Sequence, residues 1–156
     1  MQEKKNLKIV SGGQTGVDRA ALDAAIESAI PHGGWCPKGR LSEDGRIPDK
    51  YDLSETKSRK YPERTIMNIH DSDGTLIITR NEPTGGTLLT KNVAEKSKKP
   101  LLIIAVNKRV SQKKVEAILS WILENKINVL NVAGPRESTT PGIYEISKLL
   151  IKRVLS

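Results

Sequence analysis

Residues 7–25 read LKIVSGGQTGVDRAALDAA, and this stretch decides the fold. Leu7–Val10 is a short apolar run of strand length. The chain then turns through Ser11, Gly12, Gly13, Gln14, Thr15 and Gly16. It enters a helix over about Val17–Ile30 that carries Ala20, Ala21, Leu22, Ala24 and Ala25. Pro31 and the pair Gly33-Gly34 end that helix. A strand that passes through a glycine turn into a helix is the first half of a βα unit.

The same alternation continues outward from it. Trp35-Cys36 is a brief extended piece. From Pro37 to about Tyr61 the chain is polar and broken by Gly39, Gly45 and Pro48, and a loop of that length is usually functional or mobile. Pro62 suits the first turn of a helix reaching about Ile69. TLIIT at 75–79 and LLIIAV at 101–106 are apolar without a two-residue period, as strands buried on both faces should be. Between them lies TGG at 84–86 and a helix from about Thr87 to Lys98, stopped by Pro100. Ser111 can cap a helix that sets Val115, Ile118, Leu119 and Ile122 on one face. Asn128–Ala133 is the next strand. GPRESTTP then leads to a last helix with Ile143, Ile146, Leu149, Leu150 and Val154 inward. With right-handed crossovers this is one α/β domain over residues 1–156, a Rossmann-like, doubly wound parallel sheet with helices on both faces.

Composition agrees. There are no Phe, two Trp and three Tyr, so Ile, Leu and Val must build the core. Scarce aromatics also count against single-strand nucleic-acid binding, which stacks bases on rings. The net charge is +8. Residues 1–78 hold 12 basic and 12 acidic side chains, and residues 79–156 hold 14 and 6. The excess lysines are dispersed, which reads as a solvated surface more readily than as a nucleic-acid face. No run approaches the roughly 20 apolar residues needed to cross a bilayer, and no signal-peptide pattern opens the chain. A cytoplasmic location without membrane attachment is expected. One cysteine, Cys36, and two histidines leave no metal site and no disulfide to expect.

In an open parallel sheet the ligand sits beyond the carboxyl ends of the strands. Three junctions there stand out. In SGGQTGVDR the glycines let backbone N–H groups approach a ligand, and the helix N-terminus adds positive charge. Thr15 is expected to cap that helix, with Asp18 completing a capping-box-like pair. Asp18 would oppose an anion, or meet a ligand hydroxyl or ring N–H, and Arg19 would compensate. A Val in place of Gly13 is expected to abolish binding while leaving the fold intact. In TGGT, Gly85, Gly86 and Thr87 repeat this physics. In AGPRES, Arg136 offers a fork to phosphate or carboxylate, and Glu137 caps or pairs with it. The spacing matches neither GxGxxG nor a P-loop.

Other candidates are more open. Cys36 is either a reactive group or a small buried hydrophobe. His32 and His70 read as structural or solvated. Arg64 and Asn68 share one face of the 62–69 helix, directed into the site or away from it. Asp71 and Asp73 follow, as site residues or as caps.

SGGQTGVDRAALDAA, GGWCPKGRLSEDGRIPDKYDL, the RTIMN…DSDGTLI stretch, TGGTLLT and NVAGPRES…PGI together resemble the molybdenum-cofactor carrier proteins, over about residues 8–150. That family is Rossmann-like, and is similar at superfamily level to lysine-decarboxylase-like phosphoribohydrolases and to the DNA-processing protein DprA. The resemblance implies binding of a phosphorylated pterin, molybdenum cofactor (molybdopterin) or its precursor, as cargo, in a homo-oligomer. It places the ligand motif on Gly12, Gly13, Gln14, Thr15 and Gly16, facing Gly85, Gly86 and Thr87. The hydrolases' PGGxGT-x-x-E motif is not matched by TGGTLLTK, which lacks its spacing and its glutamate.

The expected function is therefore to bind a phosphorylated small molecule, a pterin or nucleotide, with no identifiable catalytic residues. The alternative is an enzyme cleaving the N-glycosidic bond of a nucleoside monophosphate, with Asp18, Glu43, Asp44 and Glu137 as acid–base candidates. A DNA-binding role ranks third.

Overall fold

A computed structural model describes residues 6–156; residues 1–5 of the expected domain fall outside the described residues. Strand β1 (Lys8–Val10) leads into helix α1 (Val17–Glu27). Five two-residue strands follow: β2 (His32–Gly33), β3 (Trp35–Cys36), β4 (Leu41–Ser42), β5 (Gly45–Arg46) and β6 (Ser54–Glu55). Regular alternation then resumes with α2 (Tyr61–His70), β7 (Gly74–Thr79), α3 (Gly85–Ser97), β8 (Leu101–Ala105), α4 (Gln112–Glu124), β9 (Val129–Ala133) and α5 (Ile143–Leu155).

The central sheet has the order β2-β1-β9-β7-β8, and every neighbouring pair is parallel. Ile9 pairs with Leu130, and Leu130 with Gly74, so the last strand of the chain lies between β1 and β7. The chain winds from β1 to β2 in one direction and from β7 to β8 in the other. The reversal falls across β9, and a ligand crevice is expected beyond the carboxyl ends of β1, β9 and β7.

All six residues of β7 are buried, which is why its sequence shows no alternation. Its side chains nevertheless serve two layers. Leu76 and Ile78 join Leu130 and Val132 in one apolar core with Ala21 and Ala24 of α1, Ile118 of α4 and Leu150 of α5. Thr75, Ile77 and Thr79 turn to the other face, where α2 packs on α3. That second layer is polar: Thr65, Asn68, Thr75, Thr79, Thr87, Thr90 and Asn131 are all buried. Buried polar groups are costly unless satisfied, and bonds within this layer satisfy several of them: Thr79 Oγ1 donates to Asn81 O, Thr90 Oγ1 to Gly86 O and Asn131 Nδ2 to Thr75 Oγ1.

The polar stretch after Cys36 is more ordered than its sequence suggests. β3 pairs with β6 in parallel, and β4 with β5 as a hairpin. Arg40, only 8% exposed, holds the segment from inside. Its Nε donates to Ile47 O at 3.0 Å, Nη1 to Leu53 O at 3.3 Å, and Nη2 to Pro48 O and Tyr51 O, both at 2.8 Å.

Two helix starts differ from the sequence reading. α1 is not capped by Thr15 with Asp18. Gly16, at φ 82°, is the N-cap, and no side chain bonds the helix end. α3 begins at Gly85 rather than Thr87, with Thr84 in the N-cap position. Glycine fits such a first turn, where the N–H groups have no helical partner.

Candidate functional site

A cavity of about 460 Å³ opens at the carboxyl edge of the sheet. The loop after β1 supplies Gly12 and Gln14, and the first turn of α1 supplies Asp18. The loop after β7 supplies Thr84, the first turn of α3 supplies Gly85, Gly86 and Thr87, the loop after β9 supplies Gly134 to Arg136, and α2 supplies Arg64 and Asn68. The three junctions therefore meet at one cavity. Because β9 separates β1 from β7, the two glycine loops stand on its opposite walls, about 10 Å apart at two strand spacings.

The first glycine turn is largely engaged with its own chain. Gly13 N–H donates to Ser11 Oγ (3.4 Å), Gln14 N–H to Asp18 Oδ2 (3.3 Å), Thr15 N–H to Gln14 Oε1 (3.0 Å) and Val17 N–H to Pro135 O (3.2 Å). Its glycines make room for protein. A Cβ on Gly12 would meet Arg64 Nη1 at 1.7 Å, one on Gly13 would meet Leu53 Cδ1 at 2.7 Å, and one on Gly16 would meet Pro135 O at 2.3 Å. Gly13 also holds φ at +78°. A Val there would hold a positive φ that L side chains rarely adopt and would press on the Leu53 and Ile47 side-chain tips, so such a variant is expected to lose stability as well as binding.

The second glycine turn is different. A Cβ on Gly85 or Gly86 would meet nothing within 4 Å. Among the described residues, no chain acceptor is seen for either N–H, while Thr87 and Leu88 N–H both return to Thr84 O. Free amides at the positive end of α3 suit an oxyanion.

Between these walls lies a buried ion pair. Asp18 is 5% exposed, and Arg64 Nη1 reaches its Oδ2 at 3.1 Å. Burial pushes the Asp18 carboxyl up, against the opposing pull of the Arg64 charge and the Gln14 N–H. Arg64 Nε and Gln14 Nε2 are buried and have no partner among the described residues. Arg136 stands at the rim, and its guanidinium and that of Arg64 lie 5.6 and 5.3 Å from the centre of the Tyr61 ring.

Several sequence candidates serve elsewhere. Arg19 grips Asp44 through Nη1 at 2.6 Å and Nη2 at 3.1 Å, and that grip lowers the Asp44 pKa to about 2. Thr15 donates to Glu43 and accepts from Glu137 N–H. Glu43 also binds Ser138, so the β4–β5 hairpin is tied to the loop after β9. Glu137 caps α5, accepting from Gly142 N–H at 2.7 Å and Tyr144 N–H at 3.0 Å. Cys36 is fully buried with Leu22, Ile47 and Tyr51, and burial pushes its thiol up. Asn68 lines the cavity, yet its amide is taken up by Trp35, accepting from N–H at 2.8 Å and donating to the carbonyl at 3.0 Å. Asp71 accepts from Trp35 Nε1, and Asp73 from Asn128 and Val129 N–H, which makes both of them braces. His32 accepts from Asp52 N–H, and His70 contacts Asp71.

Sequence reasoning read Thr84 only as a possible cap and did not single out the other threonines of the cavity, Thr65, Thr79, Thr90, Thr139 and Thr140, or Asn131. For Thr79 the signal was its place at the end of TLIIT, on the face opposite Leu76 and Ile78. Among the described residues no group of three or more His, Cys, Asp or Glu could hold a metal ion, and no helix is long and apolar enough to cross a membrane.

A doubly wound parallel sheet with its cavity at the switch point defines a Rossmann-like α/β protein. The chain belongs to the circularly permutated YpsA SLOG family (cpYpsA), whose family model matches residues 9–155. Among solved structures it is similar to the crystal structure, at 1.45 Å, of a protein described as "Putative molybdenum carrier protein" from Syntrophus aciditrophicus SB. The two share 48% identity over 96% of this chain and 94% of that one, with a TM-score of 0.92. The resemblance carried by the motifs is thereby borne out. No curated protein matches the chain.

Proposed function

We propose that this protein is a carrier that holds a phosphorylated pterin, such as molybdenum cofactor, in the switch-point cavity without breaking a bond. The phosphate would rest on the Gly85 and Gly86 N–H groups and the Thr87 hydroxyl, with Arg136 neutralising it from the rim. The pterin ring would lie toward Asp18, Gln14 and Arg64. The phosphate is placed on the second glycine turn rather than the first, because the Gly13, Gln14 and Thr15 N–H groups of the first are engaged by the chain, whereas Gly85 and Gly86 N–H find no acceptor among the described residues.

The observation that carries the reading is the pairing of open amides at the α3 N-terminus with two buried donors, Gln14 Nε2 and Arg64 Nε, that have no partner among the described residues and belong to side chains lining one cavity. Its volume lies within the roughly 300–1,000 Å³ of small-molecule sites. A relative with molybdenum carrier in its name supports the choice of cargo. Molybdenum would be held through its pterin, since the residues present fit a polar ring and a phosphate rather than a bare metal. A cytoplasmic homo-oligomer belongs to the same reading.

Native mass spectrometry of protein purified from its own cells tests this. The expected result is a co-purifying mass of a few hundred daltons that contains phosphorus and, for the loaded cofactor, molybdenum. Protein that binds neither phosphorylated pterins nor nucleotides when they are added in excess would overturn it.

A further inference from the structure

Gln14 is 5% exposed and lines the cavity, and the chain fixes which way its amide points. Oε1 accepts two backbone N–H bonds, from Thr15 at 3.0 Å and from Glu43 at 2.9 Å. Turning the amide over would set its NH₂ against two donors, so Nε2 is the end left over. It has no partner among the described residues, and a buried donor without an acceptor calls for an explanation. Asp18, bonded to the Gln14 N–H, has its Oδ2 engaged by that amide and by Arg64. Its Oδ1 accepts nothing among the described residues. Two residues that line the same cavity therefore each have polar capacity to spare, a buried donor on Gln14 and an acceptor oxygen on Asp18.

We propose that Gln14 and Asp18 select a ring edge bearing a carbonyl, an N–H and an exocyclic amino group in a row. That edge is the 2-amino-4-oxopyrimidine shared by pterins and guanine. The carbonyl accepts from Gln14 Nε2, and the ring N–H and amino group donate to the Asp18 carboxylate. An adenine edge is mismatched twice, with its amino group toward the Gln14 NH₂ and a ring lone pair toward the carboxylate. The loop after β7 then holds the phosphate about 10 Å away, two strand spacings along the sheet edge. This specificity rests on the phosphorylated-ligand reading above.

Calorimetric titration with dihydroneopterin monophosphate, guanosine monophosphate and adenosine monophosphate tests it. The first two should bind at least tenfold more tightly than the third, and the tighter of the two identifies the natural ring system. Asp18→Asn should reduce that preference to less than about threefold. Because Asp18→Asn also removes the ion pair with Arg64, on which folding depends, Gln14→Met provides a second test and should lower affinity for the two amino-oxo ligands while leaving adenosine monophosphate unchanged. Equal binding of all three by the native protein would overturn the specificity and leave the phosphate reading standing. A full preference retained in a folded variant at either position would do the same. No binding of any of the three would overturn both.

Discussion

Arg64 lies directly across Gly12, where an added Cβ would sit 1.7 Å from the guanidinium Nη1. The missing side chain lets Arg64 reach Asp18, a carboxylate that would otherwise be buried without a charge partner. Gly12→Ala should push the guanidinium aside and break the pair. Breaking a buried ion pair costs about 3 kcal/mol. Burial raises the Asp18 pKa, and a protonated Asp18 needs no partner, so the deficit should shrink as pH falls. Urea denaturation at pH 7 and pH 4 measures both effects, and an unchanged midpoint at pH 7 would show that Arg64 relocates freely.

Gly86 makes the opposite case. Open space surrounds its missing Cβ, and its φ is not in the left-handed region. Gly86→Leu should therefore leave stability unchanged or raise it by up to about 1 kcal/mol, as replacing a helical glycine does. The same side chain would fill the cavity above the amides and abolish binding of inorganic phosphate. A melting curve paired with a phosphate titration separates the two readouts. Phosphate binding that survives would move the anion away from the second glycine turn.

The alternation of strands and helices was legible because apolar runs and glycine turns are local signals. The three junctions at the sheet edge were legible for the same reason. What each glycine faces was not, because the atoms that fill the space come from distant sequence. Arg64 arrives over Gly12, Leu53 over Gly13, and the backbone of Pro135 over Gly16. Asn68 reads as a site residue by its helix face, yet Trp35, 33 positions earlier, occupies its amide. Thr15 reads as a cap, but a glutamate from the hairpin and an amide 122 positions later claim its hydroxyl.

Arg40 is the least expected of these long-range groups. One guanidinium serves four carbonyls between Ile47 and Leu53, a pattern that the three donors of a lysine cannot reproduce. Arg40→Lys should destabilise the protein by about 2 kcal/mol, given the strength of hydrogen bonds to charged groups. It should also make the 41–53 segment the first site of proteolytic cleavage. Since the hairpin delivers the Glu43 N–H to Gln14, ligand affinity should fall with it. Limited trypsin digestion, read by mass spectrometry, would contradict this if the first cut lay elsewhere.

The Arg19–Asp44 pair gives a defined acid limb. The Asp44 pKa is lowered to about 2, chiefly by its hydrogen bond from Arg19, against a usual value of 3.8. A depressed folded-state pKa contributes stability that is present above the unfolded value and lost as pH falls through the folded one. Asp44 is half exposed, and solvent screens the pair, so the contribution should be no more than about 1 kcal/mol. Wild type should exceed Asp44→Asn by that margin at pH 5, and the gap should close near pH 2. Guanidinium unfolding across that range measures it, and a gap independent of pH would assign it to something other than ionisation.

Arg136 tests the rim of the cavity. Its side chain is 40% exposed, and Glu43 is 4.0 Å away, too far for a hydrogen bond. The guanidinium is therefore available to a phosphate seated at Gly85 and Gly86. A charge-assisted hydrogen bond of this kind contributes about 1–3 kcal/mol. Arg136→Ala should accordingly weaken binding of guanosine monophosphate by roughly 5- to 150-fold while leaving guanosine itself unaffected. Arg136→Lys should recover only part of the loss, because a point charge does not reproduce the fork. Equal losses for the nucleotide and the nucleoside would place Arg136 at the ring, and no loss for either would leave it a partner of Tyr61 alone.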